Sequence, residues 1–416
     1  MLLHWIWFSR CGISDWTKSK LLQHFADPED IYHADSMAFQ YIEGIGPSET
    51  AALKEKSLDE AQKILDDCRR EGIRILTLRD AAYPKRLRHI PDPPVVLYYK
   101  GMLPDMDSVP AIGVVGTRKA SAYGMQVARR MGYQIGSCGG IVVSGLAYGI
   151  DGMSMLGALE SGATTVGVLG CGIDIVYPKS NRNLFQDTER YGCILSEFPP
   201  GTQPARWTFP KRNRIISGLS CGVLVVEAPE KSGALITARA ALEQGRDVFV
   251  VPGNIDLPTC AGSNRMLREG AIPVSSGWDV LSEYAGVFGD KIRQAGIDFQ
   301  MPVRQLTHTA EKDKTVANSG KNRAVTGKEN IRNKENDKKV IDKAHSGPYS
   351  DVNDILPKLS QQERSVVLTL LDGERLVDDV IAETGLTTGK VLGILTMLEL
   401  KKVIQRHPGK RISLRN

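Results

Sequence analysis

AIGVVGTRKASAYG, residues 111–124, carries the pattern of a strand, a tight turn and a helix in immediate succession. Its first five residues are an apolar run and predict a buried strand ending at Val115. Gly116-Thr117-Arg118-Lys119 then makes a sharp turn. Ser121 is placed to cap a helix from about Ala122 to Gly136, with Met125, Val127, Ala128, Met131 and Ile135 on its apolar face. Strand, glycine-containing turn and helix is how a parallel α/β sheet presents backbone N–H groups to an anion. Two cations in the turn favour a phosphate over a neutral ligand. Taken alone, the stretch also fits an ordinary strand-to-helix loop with surface charges.

Working outward, the same alternation repeats. Strands are predicted at 112–115, 141–144, 165–169, 193–196, 223–226 and 248–251, with helical segments between them. Ile73 to Thr77 and Val95 to Tyr99 read as two further strands added before the series, separated by turns at Tyr83-Pro84 and Asp92-Pro93-Pro94. The strands are continuously apolar rather than alternating, as a parallel sheet covered on both faces requires. The expected class is doubly wound α/β.

Ligands of such sheets sit outside the carboxyl ends of the strands. There the sequence places Gly116-Thr117-Arg118, Ser144-Gly145 leading to Asp151, and Gly170-Cys171-Gly172 leading to Tyr177-Pro178. It also places Trp207, Phe209, Lys211, Arg212, Asn213 and Arg214 there, then Lys231-Ser232-Gly233, then Pro252-Gly253. Glycine admits a close backbone, hydroxyls donate, and arginine clamps phosphate oxygens in bidentate fashion. This predicts a polyanion site. Neither the G-x-G-x-x-G fingerprint nor a Walker A loop or zincin motif occurs, and no histidine falls in these loops. Acid–base chemistry would fall to Asp151, Asp174, Glu197 or Glu227. Each is instead read as a partner for a nearby cation or backbone donor. No catalytic residue, metal ligand or cofactor is expected.

The length of 416 residues suggests about two to three domains. The net charge is +5, and residues 303–346 carry 11 Lys/Arg against 6 Asp/Glu, the same excess. Bulk charge therefore does not demand nucleic acid, and any basic surface elsewhere must be local. Seven widely spread cysteines form no C-x-x-C pair, which predicts free thiols in a reducing compartment. The start, MLLHWIWFSR, lacks a basic segment and a cleavage site, and no apolar run approaches membrane-spanning length. The expected location is cytoplasmic, without membrane contact.

Four regions are predicted. Residues 1–70 read as helical, with Trp5, Ile6, Phe8, Trp16, Leu21, Leu22 and Phe25 as a small core. There, Tyr41 to Pro47 precedes a helix carrying Ala51, Ala52 and Leu53 on one side. Its Gly-x-Gly turn resembles either a helix-hairpin-helix phosphate contact or a plain helical hairpin. Residues 71–298 hold the α/β sheet. Residues 299–352, polar and with no aromatic residue from Val303 to Ser346, read as a disordered linker. Residues 353–416 read as a winged helix. Ser360 and Glu363 make a capping box, with Val366, Val367, Leu370 and Leu371 inward. Val377, Val380 and Ile381 mark a second helix. Thr387 or Thr388 caps a third, burying Val391, Leu392, Leu395 and Leu398. A hairpin turns at Pro408-Gly409. Lys401, Lys402, Arg406, Lys410, Arg411 and Arg415 make that end basic, suited to DNA or to a protein partner.

The motifs Gly116-Thr117-Arg118, Ser144-Gly145-x-Ala147-x-Gly149-Ile150-Asp151, the Gly170 to Pro178 loop, Pro210-x-Arg212-Asn213-Arg214-Ile215-Ile216, Ser232-Gly233 to Thr237-Ala238 and Pro252-Gly253 resemble, in order, those of the DprA (Smf) family of DNA-processing proteins. The resemblance implies an extended Rossmann-like sheet beside a small helix-hairpin-helix or SAM-like domain and a C-terminal winged helix. It implies single-stranded DNA binding, a homodimer, and delivery of strands to the RecA recombinase in natural transformation. The family's phosphate motif falls on Gly116, Thr117 and Arg118, and its basic segment on Arg212, Asn213 and Arg214 with Lys211 beside them. Ser144, Gly145, Lys231, Ser232 and Gly233 complete the expected contact set. Two alternatives stand beside this reading. One is a Rossmann-like nucleotide phosphoribohydrolase, for which the first acid of the helix after Gly233 is Glu243. The other is a winged-helix DNA-binding regulator.

Overall fold

The computed structural model describes residues 1–295 and, beyond them, 359–370, 375–384, 386, 388–401, 403–407 and 411–414. The expected linker, 299–352, lies outside the described residues. Two compact units divide between Ala317 and Asn318.

In the first unit nine strands form one sheet: β1 (Arg74–Thr77), β2 (Val96–Gly101), β3 (Ala111–Val115), β4 (Ile141–Ser144), β5 (Thr165–Leu169), β6 (Cys193–Ser196), β7 (Gly222–Val225), β8 (Asp247–Val250) and β9 (Ile272–Pro273). Their order is β1-β2-β6-β5-β4-β3-β7-β8-β9. From β6 to β9 every pairing is parallel; β1 and β2 extend the sheet antiparallel beside β6. Strands β3 to β8 each fall within one residue of their predicted positions, whereas β9 is not among the predicted strands. The chain winds outward from β3 through β4 and β5 to β6, then returns to the other side of β3 as β7. The order reverses between β3 and β7, and that is where such a sheet opens a crevice at its carboxyl edge.

Every residue of β3 is buried. Ile112 and Val114 join the core under the helices Ala122–Ser137 and Ile150–Glu160, with Val127, Ala128, Met131, Ile135, Met155 and Leu159. Ala111 and Val115 face the opposite layer, where Thr208–Leu219 and Gly233–Glu243 contribute Ile215, Ile216, Leu219, Leu235 and Ala238. Ser121 caps Ala122–Ser137 as expected, accepting from the Gly124 N–H at 3.0 Å. Met125 departs from expectation: it points to solvent, because the apolar stripe runs through the 127, 128, 131, 135 positions.

Six helices fill residues 2–70. Trp5, Ile6, Phe8 and Leu21 are buried, and their core is continuous with Tyr98 and Ile112 of the sheet. Trp16 is not part of it; half exposed, it lies over Gly44, where a side chain would meet its ring. In Pro47–Lys54 only Leu53 is buried. All seven cysteines are free. Among the described residues, no helix is long and apolar enough to cross a membrane.

The second unit is a winged helix. Gln361–Leu368, Val377–Thr384 and Thr388–Leu400 pack around Val366, Val367, Leu370, Val380, Val391, Leu395 and Leu398. Ser360 and Glu363 form the reciprocal capping box. Strands β10 (Arg375–Leu376), β11 (Ile404–His407) and β12 (Arg411–Leu414) pair antiparallel in the order β10-β12-β11. Leu392 is partly exposed rather than buried, one position off the 391, 395, 398 stripe. Leu371, Thr387, Lys402, Pro408, Gly409, Lys410 and Arg415 lie outside the described residues. Lys401, though exposed, is paired with Glu363, Nζ to Oε1 2.6 Å, and is not a free surface cation.

Candidate nucleic-acid interface

The turn after β3 is fixed before it meets any ligand. Thr117 N–H donates to the Glu227 carbonyl beyond β7 at 2.7 Å. The Glu227 carboxylate, buried, accepts from Ser121 N–H at 3.2 Å and Ser121 Oγ at 2.8 Å. Glu227 is therefore a staple across the switch point. From the other side the β4 loop closes on the same turn, Ile150 N–H reaching the Thr117 carbonyl at 3.3 Å. Gly149 has φ +72°, and a Cβ there would stand 2.3 Å from that carbonyl, so the close approach requires glycine.

A cleft of about 340 Å³ opens between these loops and the starts of Thr208–Leu219 and Gly233–Glu243. Its lining carries four cations, Arg118, Arg206, Arg212 and Lys231, against one carboxylate, Asp151, so its field is positive. Arg118 is exposed, with its guanidinium 4.8 Å from the centre of the Phe209 ring. Arg212 is only 4% exposed. Its Nη1 donates to the Val168 carbonyl at 3.2 Å, and its Nε has no hydrogen-bond partner among the described residues. Asp151, also buried, accepts from the backbone N–H groups of Gly145 and Gly116. Burial pushes its carboxyl up, with Arg212 and Arg118 opposing; burial likewise pulls the Arg212 guanidinium down. A buried cation short of acceptors is costly unless an anion completes its shell.

The helix start at Gly233 supplies the opposite wall. Ser232 caps it, accepting from Ala234 N–H at 3.3 Å, and Asn213 Nδ2 donates to the Gly233 carbonyl at 3.3 Å. An 11-residue helix adds positive partial charge at this end.

The structure thus gathers Gly116, Thr117, Arg118, Arg212, Asn213, Lys231, Ser232 and Gly233 around one cleft. Ser144 and Gly145 stand behind it. Ser144 Oγ is buried and donates to the Val114 carbonyl at 2.6 Å. Gly145 lies directly under the guanidinium of Arg212.

Lys211 and Arg214 are not brought to the cleft. On one helix Phe209, Arg212, Asn213 and Ile216 share a face, and 211 and 214 project from another. Lys211 Nζ pairs with Asp15 at 3.0 Å, and Arg214 pairs with Glu197 at 2.6 Å and Asp92 at 3.1 Å. The structure therefore does not bring these two members of the expected contact set to the cleft.

Arg206 and Phe209 are the lining residues that carry new weight. Arg206 sits in a Pro- and Gly-containing loop without periodicity, so nothing in the sequence distinguished it. Tyr177 packs on Phe209, ring centres 5.7 Å apart, and exposed Trp207 packs edge-on against Phe198. The other acids are structural: Asp174 accepts from Gly201 N–H at 2.9 Å, and Glu197 holds Arg214. Glu243 ends its helix, exposed, about 15 Å from the cleft end at the usual rise per residue.

Fold and cleft together define an α/β protein of the Rossmann-like type, cationic at its switch point and joined in one chain to a winged helix. The chain belongs to the DprA (Smf) family. The family described as DNA recombination-mediator protein A matches residues 74–285, and the DprA winged helix domain matches residues 354–410. The chain is 43% identical over 236 residues to the DNA processing protein DprA of Bacillus subtilis, covering 56% of this chain and 80% of that one. It is 32% identical to the protein Smf of Synechocystis sp., covering 99% and 98%. Among solved structures, the DNA processing protein A of Streptococcus pneumoniae superposes with a TM-score of 0.60 at 34% identity, covering 67% of this chain and 95% of that one.

Proposed function

We propose that this protein is a non-catalytic, cytoplasmic recombination mediator that holds single-stranded DNA in the switch-point cleft. As a homodimer, it protects incoming strands and loads RecA onto them in natural transformation. The observation that carries the DNA half is the charge of the cleft, whose lining sets Arg118, Arg206, Arg212 and Lys231 against the single carboxylate of Asp151. A phosphate backbone matches that excess, with exposed Arg118 at the mouth and Arg206 and Lys231 extending the path. The contact set of this reading is Gly116, Thr117, Arg118, Arg206, Arg212, Asn213, Lys231, Ser232 and Gly233. Family membership supports the RecA and dimer halves. In this reading residues 1–70, 71–298 and 353–416 are the working domains, joined by the 299–352 linker.

The test is a strand-exchange assay with RecA, single-strand-binding protein and this protein, run beside light scattering. Relief of the binding protein's block by a dimer is expected. Persistence of the block with intact single-strand affinity would remove the mediator role and leave a DNA-binding protein. Release of free base from nucleoside monophosphates, abolished by Glu243→Ala, would move the conclusion to a hydrolase. One duplex site footprinted more tightly than single strands would move it to a regulator.

A further inference from the structure

Far along the sequence from the cleft loops, one other set of chemistry-bearing side chains converges. Among the described residues, His4, Glu29 and His33 bring one ligand atom each within 4.8 Å of one another. They come from two helices. His4 lies on Leu2–Arg10; Glu29 and His33 are four apart on Pro28–His33 and so share a face.

His4 is the fixed member. Its side chain is 13% exposed, and its Nδ1 is buried with no hydrogen-bond partner, 3.7 Å from Glu29 Oε2. Tyr32 packs on its ring at 4.8 Å. Tyr32 is itself held by its hydroxyl donating to the Lys56 carbonyl at 2.8 Å and by Trp7 edge-on at 5.1 Å. A buried imidazole nitrogen without a partner is unusual, and here it faces a carboxylate and a second imidazole. Glu29 and His33 have freedom to move: the first is 41% exposed on its side chain and the second is exposed.

Ligands 2.0–2.2 Å from a tetrahedral metal stand about 3.3–3.5 Å apart. The three atoms are therefore about 1 Å short of closure, a distance that side-chain rotation of Glu29 and His33 covers while His4 stays in place. The Met1 ammonium, 3.4 Å from Glu29 Oε2, is the partner that the carboxylate would exchange. Two imidazoles and one carboxylate suit Zn²⁺, whereas calcium and magnesium call for all-oxygen shells. We propose that His4, Glu29 and His33 form a zinc site, its fourth position left to water, that ties Leu2–Arg10 to Pro28–His33.

The experiment uses the full chain, stripped with a chelator, titrated with Zn²⁺ by calorimetry and with Co²⁺ as a spectroscopic substitute. One Zn²⁺ per chain is expected, with a rise in melting temperature. Visible Co²⁺ bands of a four-coordinate nitrogen and oxygen site are expected as well. His33→Ala and Glu29→Gln, both at accessible positions, should weaken binding at least about tenfold and abolish the melting shift. His24→Ala, at an exposed histidine outside the cluster, should leave both unchanged. Equal binding by wild type and His33→Ala, near-ultraviolet cobalt–thiolate absorption, or no binding at all would each overturn the site.

Discussion

Arg214 and Glu197 form a buried ion pair, Nη2 to Oε1 2.6 Å, with the two side chains 10% and 12% exposed. Asp92 and Asp15 approach the same guanidinium at 3.1 and 3.8 Å, and Lys211 joins through Asp15. Helix Thr208–Leu219 thus turns one face to the cleft and pins the other to the N-terminal helices. Removing one partner of such a pair strands a buried charge. Arg214→Ala is expected to cost about 3–5 kcal/mol of stability in chemical denaturation. Lys211→Ala, at a more exposed pair, should cost under about 1 kcal/mol. Neither should change the salt dependence of single-strand binding measured on folded protein.

Salt dependence separates the cleft cations from that network. If Arg118, Arg206, Arg212 and Lys231 each neutralise one phosphate, log K against log salt should fall with a slope of roughly −3, at about −0.7 per contact. Arg118→Ala should take somewhat less than one unit from the slope and weaken all sequences alike, since phosphate contacts carry no base information. Fluorescence anisotropy across salt measures both. An unchanged affinity and slope would remove the Gly116–Arg118 turn from the site.

Gly145 and Arg212 are so close that no side chain fits between them. A Cβ at position 145 would stand 1.4 Å from Arg212 Nη1. Gly145→Ala must therefore displace the guanidinium without touching a ligand. The loss of a charge-assisted bond corresponds to about 1.5–3 kcal/mol, or roughly 10–150-fold in single-strand affinity. Circular dichroism should show an intact fold. Native affinity in this variant would mean that Arg212 does not bind the strand.

In the winged helix, the hydrogen bond from Lys401 and the capping bonds from Ser360 hold the Glu363 carboxyl below its ordinary value. A carboxyl lowered on folding stabilises above its unfolded pKa, near 4.5, and that contribution is lost as pH falls through the lower folded value. The melting transition of this unit should therefore drop as pH is taken below about 4.5. Glu363→Gln should flatten that dependence. Calorimetry of the full chain as a function of pH reads it, and an identical pH profile in the variant would exclude Glu363 as its source.

By itself the sequence determined much of this. Continuous apolar runs bounded by glycine placed β3 to β8 within a residue, because strands buried on both faces leave no other signal. Ser121 and the Ser360–Glu363 box marked helix starts for the same local reason: a hydroxyl three residues ahead of an unpaired N–H. The loops at the strand ends were legible as a group. Tertiary structure alone decided which loops meet. Pairing β7 beside β3 creates the switch point, and strand order is a non-local choice that no window of sequence carries. It also decided which way Thr208–Leu219 faces. Lys211, Arg212, Asn213 and Arg214 put polar groups around most of one turn, so periodicity names no wet side. Asp15, Asp92 and Glu197, remote in the chain, neutralise Lys211 and Arg214 from one side. Gly145, with no side chain of its own, leaves the other side open to Arg212, which is buried at the cleft with a backbone carbonyl, that of Val168, as its hydrogen-bond partner.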